Sequence, residues 1–215
     1  MRGNKVDILI IGAGASGSAA AWNLSKSGFK VLCLEQGENL KPDAYSFLKN
    51  DWEYLKQKEF NINPNIRKLK SDYPINDRNS PISIANFNAV GGSTILYSGH
   101  FPRFHPSDFK TKTIDNVGCD WPLNYNDLKP YYELNEKIMG VAGLKNDPAN
   151  PEIKNLLPPV EIGFSGELMA KTLNKLNWHW WPSYSAIKKN KKNIIEKSDV
   201  NSTYWPKAIK NGVTI

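Results

Sequence analysis

The feature that most constrains this chain is a glycine-rich turn between an apolar segment and a helical segment near the N-terminus. The turn has the spacing GxGxxG, with glycines at positions 12, 14 and 17. The apolar run of residues 6–11 before it is short and rich in β-branched side chains, as in a parallel strand buried on both faces. A helical segment follows to Gly28, a second strand is predicted over residues 30–34, and Glu35 ends it. This order of elements predicts a Rossmann-like dinucleotide-binding unit.

Each glycine of the turn has a physical role in holding a nucleotide. Gly12 permits the tight turn out of the strand, Gly14 lets the backbone approach a pyrophosphate, and Gly17 lets the helix pack close to the sheet. The helix N-terminus adds unpaired N–H groups and the positive end of the helix dipole. We predict that the cofactor-binding turn also includes Ala15 and Ser16.

The acidic residue after the second strand bears on which nucleotide is bound. Glu35 is placed to accept hydrogen bonds from ribose hydroxyls, and Gln36 beside it is a further predicted cofactor contact. A carboxylate at this position repels a 2′-phosphate, and no arginine follows it closely, which argues against NADP. This unit alone does not separate FAD from NAD.

A second glycine motif lies in the segment NFNAVGGSTILYSGH. Gly91 and Gly92 are followed by two small hydroxyl residues, Ser93 and Thr94. Such a segment can lie flat against a planar ring system and donate N–H groups to it. It is equally compatible with a loop that only turns, with the two hydroxyls as local caps.

The N-terminal glycine turn, AVGGST, and DWPLNYNDLKPYYELNEKIMGVAG at residues 120–143 together resemble the glucose–methanol–choline (GMC) oxidoreductase family. The resemblance is closest to the gluconate and fructose dehydrogenase-like flavoproteins and is thin across residues 40–80 and 145–195. It implies FAD rather than NAD. Gly12, Gly14 and Gly17 would then hold the pyrophosphate and Glu35 the adenosine ribose, and residues 91–94 would line the flavin and its linker.

The resemblance also bears on how FAD is attached and on the catalytic residues. Some family members attach FAD through a histidine shortly after the GG pair, where this chain has Leu96 or Tyr97, so non-covalent FAD is expected. The family's catalytic histidine lies further toward the C-terminus, so we assign no catalytic base. The histidines at 100, 105 and 179 are interpreted as surface or packing residues, and no partner acid is visible near His179.

The predicted fold class is α/β, with a Rossmann-like FAD-binding domain that has a parallel sheet and a βαβ start. We assign residues 1–145 to this domain, with a polar excursion over residues 37–85, and residues 146–215 to the start of an α+β substrate domain. The chain ends in what reads as the beginning of a strand, and family members are longer. A fragment whose C-terminal half is absent is therefore expected, with a sheet edge left open to aggregation.

Local patterns predict several elements of the second half. A helix is predicted with Asn126 as N-cap, and residues 128, 131, 134 and 138 are expected to pack in the core. Glu133 and Glu136 are expected to form salt bridges on a solvated face. A second, amphipathic helix covers SGELMAKTLNKLNW. The aromatic residues after it either line a substrate pocket or form an alternating strand; they are Trp178, Trp180, Trp181 and Tyr184. In the excursion, one short helix is expected around residues 43–57, with Trp52, Tyr54 and Phe60 in a small core.

Charge, cysteine content and the lack of targeting segments bear on the partners and the location of the protein. The formal net charge is +7, and the lysine run at residues 188–192 reads as a solvated loop. No nucleic-acid-binding motif is present, so no nucleic-acid partner is expected. Cys33 and Cys119 are outside any CxxC pattern, and no metal site is predicted. With no signal peptide before the first strand and no apolar run of about 18–20 residues, we expect a cytoplasmic protein without a membrane span.

The function predicted from these features is an FAD-dependent oxidoreductase that acts on the CH–OH group of a small alcohol or sugar. Hydride transfer to the flavin would be the reaction, and the electron acceptor is not indicated by the sequence. Two alternatives stay open: an NAD-dependent dehydrogenase, and a non-catalytic FAD-binding remnant.

Overall fold

The computed structural model describes residues 5–190 and 193–215 and divides them into two compact units. Unit 1 comprises residues 1–98 and 199–215, and unit 2 comprises residues 99–198. The strands of the described residues are Ile8–Ile11 (β1), Val31–Leu34 (β2), Ile187–Lys189 (β3) and Ile195–Lys197 (β4). The α-helices are Ala15–Lys26 (α1), Trp52–Leu55 (α2), Pro64–Arg67 (α3), Thr111–Asp115 (α4), Tyr125–Met139 (α5), Gly163–Lys175 (α6) and Val200–Lys210 (α7).

The N-terminal part of unit 1 is the predicted βαβ unit. β1 and β2 pair in parallel from Ile8–Val31 to Ile11–Leu34, and α1 connects them. Thr214 extends this sheet by a parallel bridge to Leu32, and its carbonyl accepts the Cys33 N–H at 2.8 Å. The Rossmann-like fold class is confirmed, although each strand begins one or two residues later than expected.

The prediction that the first strand is buried on both faces is wrong. Leu9 is 53% exposed and Ile11 is 74% exposed, whereas Ile8 and Ile10 on the other face are half-buried. In the part of the chain that the structure describes, β1 is therefore covered mainly on one face. The alternation follows from strand geometry, because successive side chains point to opposite faces of a sheet.

α7 completes unit 1 from the far end of the chain. It packs against α1, where Trp22 and Tyr204 meet edge to face with ring centroids 5.7 Å apart. Asp199 caps it by accepting the Ser202 N–H at 2.8 Å. Residues 199–215 thus belong to the same compact unit as the glycine turn, and residues 99–145 belong to unit 2. These bounds differ from the predicted division into an FAD-binding domain and a substrate domain at residue 145. That functional division stays a prediction.

The excursion of residues 37–85 has an aromatic core. Trp52 and Phe87 are buried, and Phe60 packs between them, with ring centroids 5.4 and 5.6 Å away. This confirms Trp52 and Phe60 as core residues. Tyr54 is exposed, so its assignment to this core is wrong, and the excursion contains two short helices, α2 and α3, rather than one.

A buried ion pair fastens the end of α3 to the following loop. Arg67 contacts Asp72 through two N–H···O bonds of 2.9 and 2.5 Å, and the side chains are 0% and 4% exposed. Two backbone carbonyls, of Asn61 and Asn86, also accept hydrogen bonds from Arg67. The guanidinium thereby joins two stretches of the excursion to the segment that follows it.

Asp72→Asn is expected to destabilise the protein at neutral pH and to have little effect in acid. Burial alone would raise the pKa of Asp72, but the hydrogen bonds from Arg67 and from a backbone N–H outweigh it, so the pKa is lowered. Such a carboxylate contributes stability above its ordinary pKa of about 3.9, and this is lost as the pH falls through the lower folded pKa. Urea unfolding at neutral and acidic pH measures the effect, and the exposed Asp43→Asn is the control. An Asp72→Asn cost that persists unchanged in acid contradicts this expectation.

In unit 2, α5 begins two residues earlier than predicted. Asn124 is the N-cap, because its side chain accepts the Asn126 N–H and the Asp127 side chain accepts the Asn124 N–H in return. This reciprocal capping places Pro130 inside the helix rather than in its first turn. The N-cap assigned to Asn126 is therefore wrong.

The buried face of α5 also differs from the predicted one. Tyr131 and Leu134 are exposed, whereas Tyr125, Glu136 and Met139 are buried. Glu136 does form the expected salt bridge, but in the interior with Arg103 rather than on a solvated face. This pairing leaves neither buried charge without a partner, and an unpaired buried charge would be strongly destabilising.

The remaining predictions for unit 2 have mixed outcomes. The helix α6 is confirmed, but Leu168 and Leu176 on its predicted apolar side are exposed. The aromatic residues 178–184 do not form a strand. Lys188 and Lys189 lie in β3 rather than in a loop, and residues 191–192 lie outside the described part. The prediction that no signal peptide precedes the first strand concerns the segment that includes residues 1–4, and these residues lie outside the described part of the chain.

Candidate functional site

The glycine turn after β1 leaves the N-terminus of α1 open. Gly12 has a φ of +95°, a conformation that side-chain-bearing residues rarely adopt. Gly14 is the N-cap of α1, no side chain caps it, and no acidic residue lies in the first turn. Ala15 and Ser16 in that first turn are exposed. The first N–H groups of α1 and its dipole are thus presented without a carboxylate from the helix's own first turn, which favours an anion there.

Gly14 and Gly17 differ in what surrounds them. A Cβ on Gly14 would meet nothing within 4 Å, so there is open space beside this backbone. A Cβ on Gly17 would lie 2.0 Å from the Gly12 carbonyl oxygen. Gly17 is therefore required by the close approach of α1 to the turn, in line with the predicted packing role.

Glu35 reaches back from the end of β2 to the glycine turn. One carboxylate oxygen accepts the Ala13 N–H at 2.7 Å and the other accepts the Gly37 N–H at 2.8 Å. A carboxylate offers about four acceptor positions, so further positions are available for ribose hydroxyls. The ribose contact of Glu35 stays a prediction.

The residues after Glu35 are held by the excursion. The Gln36 amide donates to the Ser71 carbonyl at 2.8 Å, so its side chain is turned toward that loop. A Cβ on Gly37 would lie 2.2 Å from the Asn88 backbone. The sequence analysis assigned no role to Gly37. The signal that could have indicated one is its position directly after Glu35 and Gln36.

The structure brings the second glycine motif against the first. Gly91 donates its N–H to the Ala13 carbonyl at 3.0 Å, and a Cβ on Gly92 would lie 2.9 Å from the Gly14 Cα. Both glycines have positive φ, of +107° and +54°, and a short 3₁₀ turn over Gly92–Ile95 follows. The absence of side chains at Gly14 and Gly92 is what allows the two backbones to approach so closely.

The hydroxyls of this motif are engaged with backbone. The Thr94 hydroxyl donates to the Gly91 carbonyl at 2.6 Å and accepts the Val200 N–H at 3.3 Å. The Ser93 hydroxyl accepts the Phe87 N–H at 3.2 Å. Both hydroxyls thus bind backbone groups near them in the chain, as one of the two interpretations expects, and Thr94 also holds the start of α7. The glycine backbone next to them contacts the first glycine turn.

Ala13 is the residue on which these contacts converge. Its N–H is held by Glu35, and its carbonyl accepts both the Gly91 N–H and the Trp205 indole N–H, the latter at 2.9 Å. Sequence reasoning assigned no role to Ala13 or Trp205. Ala13 lies between two predicted glycines, but no spacing rule connects it with a tryptophan 192 positions away.

The histidines are dispersed. His100 Nδ1 lies 3.0 Å from the Ser183 hydroxyl, and His105 is an exposed cap of a 3₁₀ turn. His179 was expected to have no partner acid nearby. This is wrong, because its Nε2 lies 3.1 Å from the buried Asp147 carboxylate. The pairing joins residues 32 positions apart, a separation across which no local pattern is visible.

The residues of unit 1 fit a dinucleotide. The uncapped start of α1 suits a pyrophosphate, the space beside Gly14 admits it, and Glu35 keeps acceptor positions for a ribose. Among the described residues there is no group of three or more His, Cys, Asp or Glu side chains arranged to hold a metal ion. The helices of this same described part are too short or too polar to cross a membrane.

The chain is similar to several known proteins. The family model described as an NAD(P)-binding Rossmann-like domain matches residues 10–68. The chain is 39% identical over 188 residues to 2-methyl-1,2-propanediol dehydrogenase of Mycolicibacterium austroafricanum, covering 86% of this chain and 34% of the relative. It is 27% identical over 195 residues to the fructose dehydrogenase large subunit of Gluconobacter japonicus, covering 80% and 35%.

A solved structure supports the same fold. Pyridoxine 4-oxidase from Mesorbium loti superposes with a TM-score of 0.58 at 18% identity, covering 98% of this chain and 42% of that protein. The chain thus spans about a third of the length of the sequence relatives, which are 34% and 35% covered. The resemblance to the N-terminal part of GMC oxidoreductases is confirmed.

Proposed function

We propose that this chain, similar to the N-terminal part of GMC oxidoreductases, provides the FAD-binding part of an enzyme that oxidises the CH–OH group of a small alcohol or sugar. The observation that carries the proposal is the meeting of three features at one turn. Glu35 and the Gly91–Gly92 segment both contact Ala13, directly beside the uncapped N-terminus of α1. A dinucleotide needs its pyrophosphate and ribose partners at such neighbouring positions.

Each feature has a separate task in the proposed site. The turn of residues 12–17 holds the pyrophosphate by backbone N–H groups, and Glu35 accepts hydrogen bonds from the ribose. The backbone of residues 91–94 lies against the flavin ring, which is bound without a covalent link. When bound, FAD would supply the acceptor for the hydride of the alcohol carbon, which carries both electrons, while the hydroxyl proton would pass to a base outside the residues assigned here.

The substrate class rests on the relatives. One is named as a dehydrogenase of a small diol and another as a dehydrogenase of fructose, and both match this chain over most of its length. The common chemistry of these two names is an alcohol carbon that carries hydrogen. We therefore propose a hydroxyl-bearing small molecule as the substrate of the complete enzyme, with no catalytic base assigned to these 215 residues.

FAD binding by the purified chain tests this function. We expect visible flavin absorption that stays with the protein through gel filtration, and we expect NADH and NADPH to bind much more weakly. The NAD-dependent alternative predicts the reverse order of affinities and a colourless protein. Reduction of bound FAD by alcohols, in the longest form of the protein that its cells make, separates an enzyme from a non-catalytic FAD-binding remnant.

Glu35→Gln is expected to weaken FAD binding by about ten- to a hundredfold. Hydrogen bonds to a charged group contribute about 1.5–3 kcal/mol, and the amide keeps one acceptor oxygen where the carboxylate has two. The difference in affinity between 5′-ADP and 2′,5′-ADP should also be smaller in the variant, because the carboxylate that repels a 2′-phosphate is gone. Isothermal titration with FAD and both ADP isomers measures this. The neighbouring Glu38→Gln is the control, and unchanged discrimination between the isomers would contradict the ribose role.

A further inference from the structure

The peptide bond between Ala13 and Gly14 is held through its carbonyl, and the peptide before it is held through its N–H. The Ala13 carbonyl accepts the Trp205 indole N–H at 2.9 Å and the Gly91 N–H at 3.0 Å. The Ala13 N–H, on the preceding peptide, donates to Glu35 at 2.7 Å. Trp205 is only 1% exposed, so water does not compete for its N–H. A hydrogen bond in such a setting restrains the carbonyl direction strongly.

The direction of this carbonyl determines the direction of the next N–H group. The described residues contain no cis peptide bond, and in a planar trans peptide the C=O and the following N–H point to opposite sides. Because the Ala13 carbonyl is turned toward the buried indole, the Gly14 N–H is turned away from it. Gly14 borders open space, since a Cβ there would meet nothing within 4 Å.

We propose that Trp205 is a positioning residue of the nucleotide-binding turn. Its indole N–H holds the Ala13 carbonyl inward, so that the Gly14 N–H is oriented in advance toward the pyrophosphate of the bound nucleotide. This inference rests on the proposed function, and it gives the C-terminal helix α7 a part in cofactor binding. Trp205 itself is buried and acts through the turn rather than by contact with the ligand.

A purely structural role for Trp205 makes a different prediction. Trp205 is a buried side chain of α7, the helix that packs against α1, and loss of its packing would lower stability. The affinity of the folded protein would then fall equally for all nucleotides, or stay unchanged. A positioning role instead weakens ligands that carry a diphosphate more than those without one. The ratio of the affinities for ADP and adenosine therefore separates the two roles.

Two substitutions remove the N–H group with different effects on shape. Trp205→β-(3-benzothienyl)alanine replaces the indole N–H by sulfur and keeps the ring size, and Trp205→Phe removes the donor together with part of the ring. Trp22→Phe is the matched control, since Trp22 packs against Tyr204 in the same interface. Thermal unfolding of each variant is measured first, so that affinities are compared only between folded proteins.

For both Trp205 variants we expect the ADP affinity to fall about tenfold, the size of one hydrogen bond. The adenosine affinity should change less than about twofold, and amide hydrogen exchange over residues 12–17 should be faster without ligand. Trp22→Phe should leave the ratio of the two affinities unchanged. If the wild-type protein binds ADP and the benzothienyl variant has the same ratio of ADP to adenosine affinity, the positioning role of Trp205 is wrong but the proposed function stands. A wild-type protein that binds neither FAD nor ADP overturns the proposed function as well.

Discussion

Gly17→Ala is expected to abolish the retention of FAD through gel filtration. The new Cβ would lie 2.0 Å from the Gly12 carbonyl oxygen, and this atom belongs to the backbone of the turn itself. The turn and the start of α1 must therefore separate, which displaces the N–H groups proposed to hold the pyrophosphate. Overpacking of this kind costs about 1–3 kcal/mol, or about 5- to 150-fold in the dissociation constant if it falls wholly on binding. Titration with FAD measures the change.

Two other glycines provide the controls for this prediction. Gly14→Ala meets open space in the free protein, so stability should be unchanged while the affinity falls because the methyl group lies where the pyrophosphate approaches. Gly28→Ala places a side chain at a φ of +92° beyond the end of α1, which should cost about 1 kcal/mol of stability and leave FAD binding intact. Retention of FAD by Gly17→Ala, with wild-type affinity, would show that the turn does not hold the cofactor.

Glu136→Ala is expected to lower the stability of unit 2 by about 3–5 kcal/mol, because it leaves a buried cation without its partner. Arg103 donates to the two Glu136 oxygens at 2.5 and 2.7 Å, and the side chains are 5% and 3% exposed. Burial alone would lower the pKa of Arg103, but hydrogen bonds with Glu136 and Tyr125 outweigh it and raise the pKa. An arginine side chain is not deprotonated in proteins, so the guanidinium stays charged when the carboxylate is removed. Urea unfolding measures the loss.

Two further variants test whether the stability loss of Glu136→Ala comes from the burial of the ion pair. Glu161→Gln removes an exposed ion pair with Lys189, at 2.8 Å, and should produce no measurable change. The double variant Arg103→Met with Glu136→Leu should be more stable than Glu136→Ala, since apolar side chains of similar size remove both charges together. A Glu136→Ala cost no larger than that of Glu161→Gln would contradict the interpretation of this pair as a buried, mutually dependent interaction.

The nucleotide-binding turn was predictable because each of its signals is local. The apolar run, the spaced glycines and Glu35 lie within thirty consecutive residues or so, and each has one dominant conformational or chemical reason. The same holds for the presence of α5 and α6. Their bounds and faces were less predictable, as the N-cap at Asn124 and the exposed Tyr131 illustrate. Apolar spacing alone identified a face for α5, but the buried face is the one that carries Glu136 toward Arg103.

The sequence by itself thus determined the class of fold and the glycine turn that starts α1, since short-range sterics leave few other solutions there. Only the tertiary structure decided which distant groups complete it. The contact of Gly92 with Gly14, the hydrogen bond from Trp205 to Ala13 and the pairing of His179 with Asp147 join residues far apart in the chain. Such pairs depend on how helices and loops pack against one another, and packing is a property of the whole core rather than of any segment.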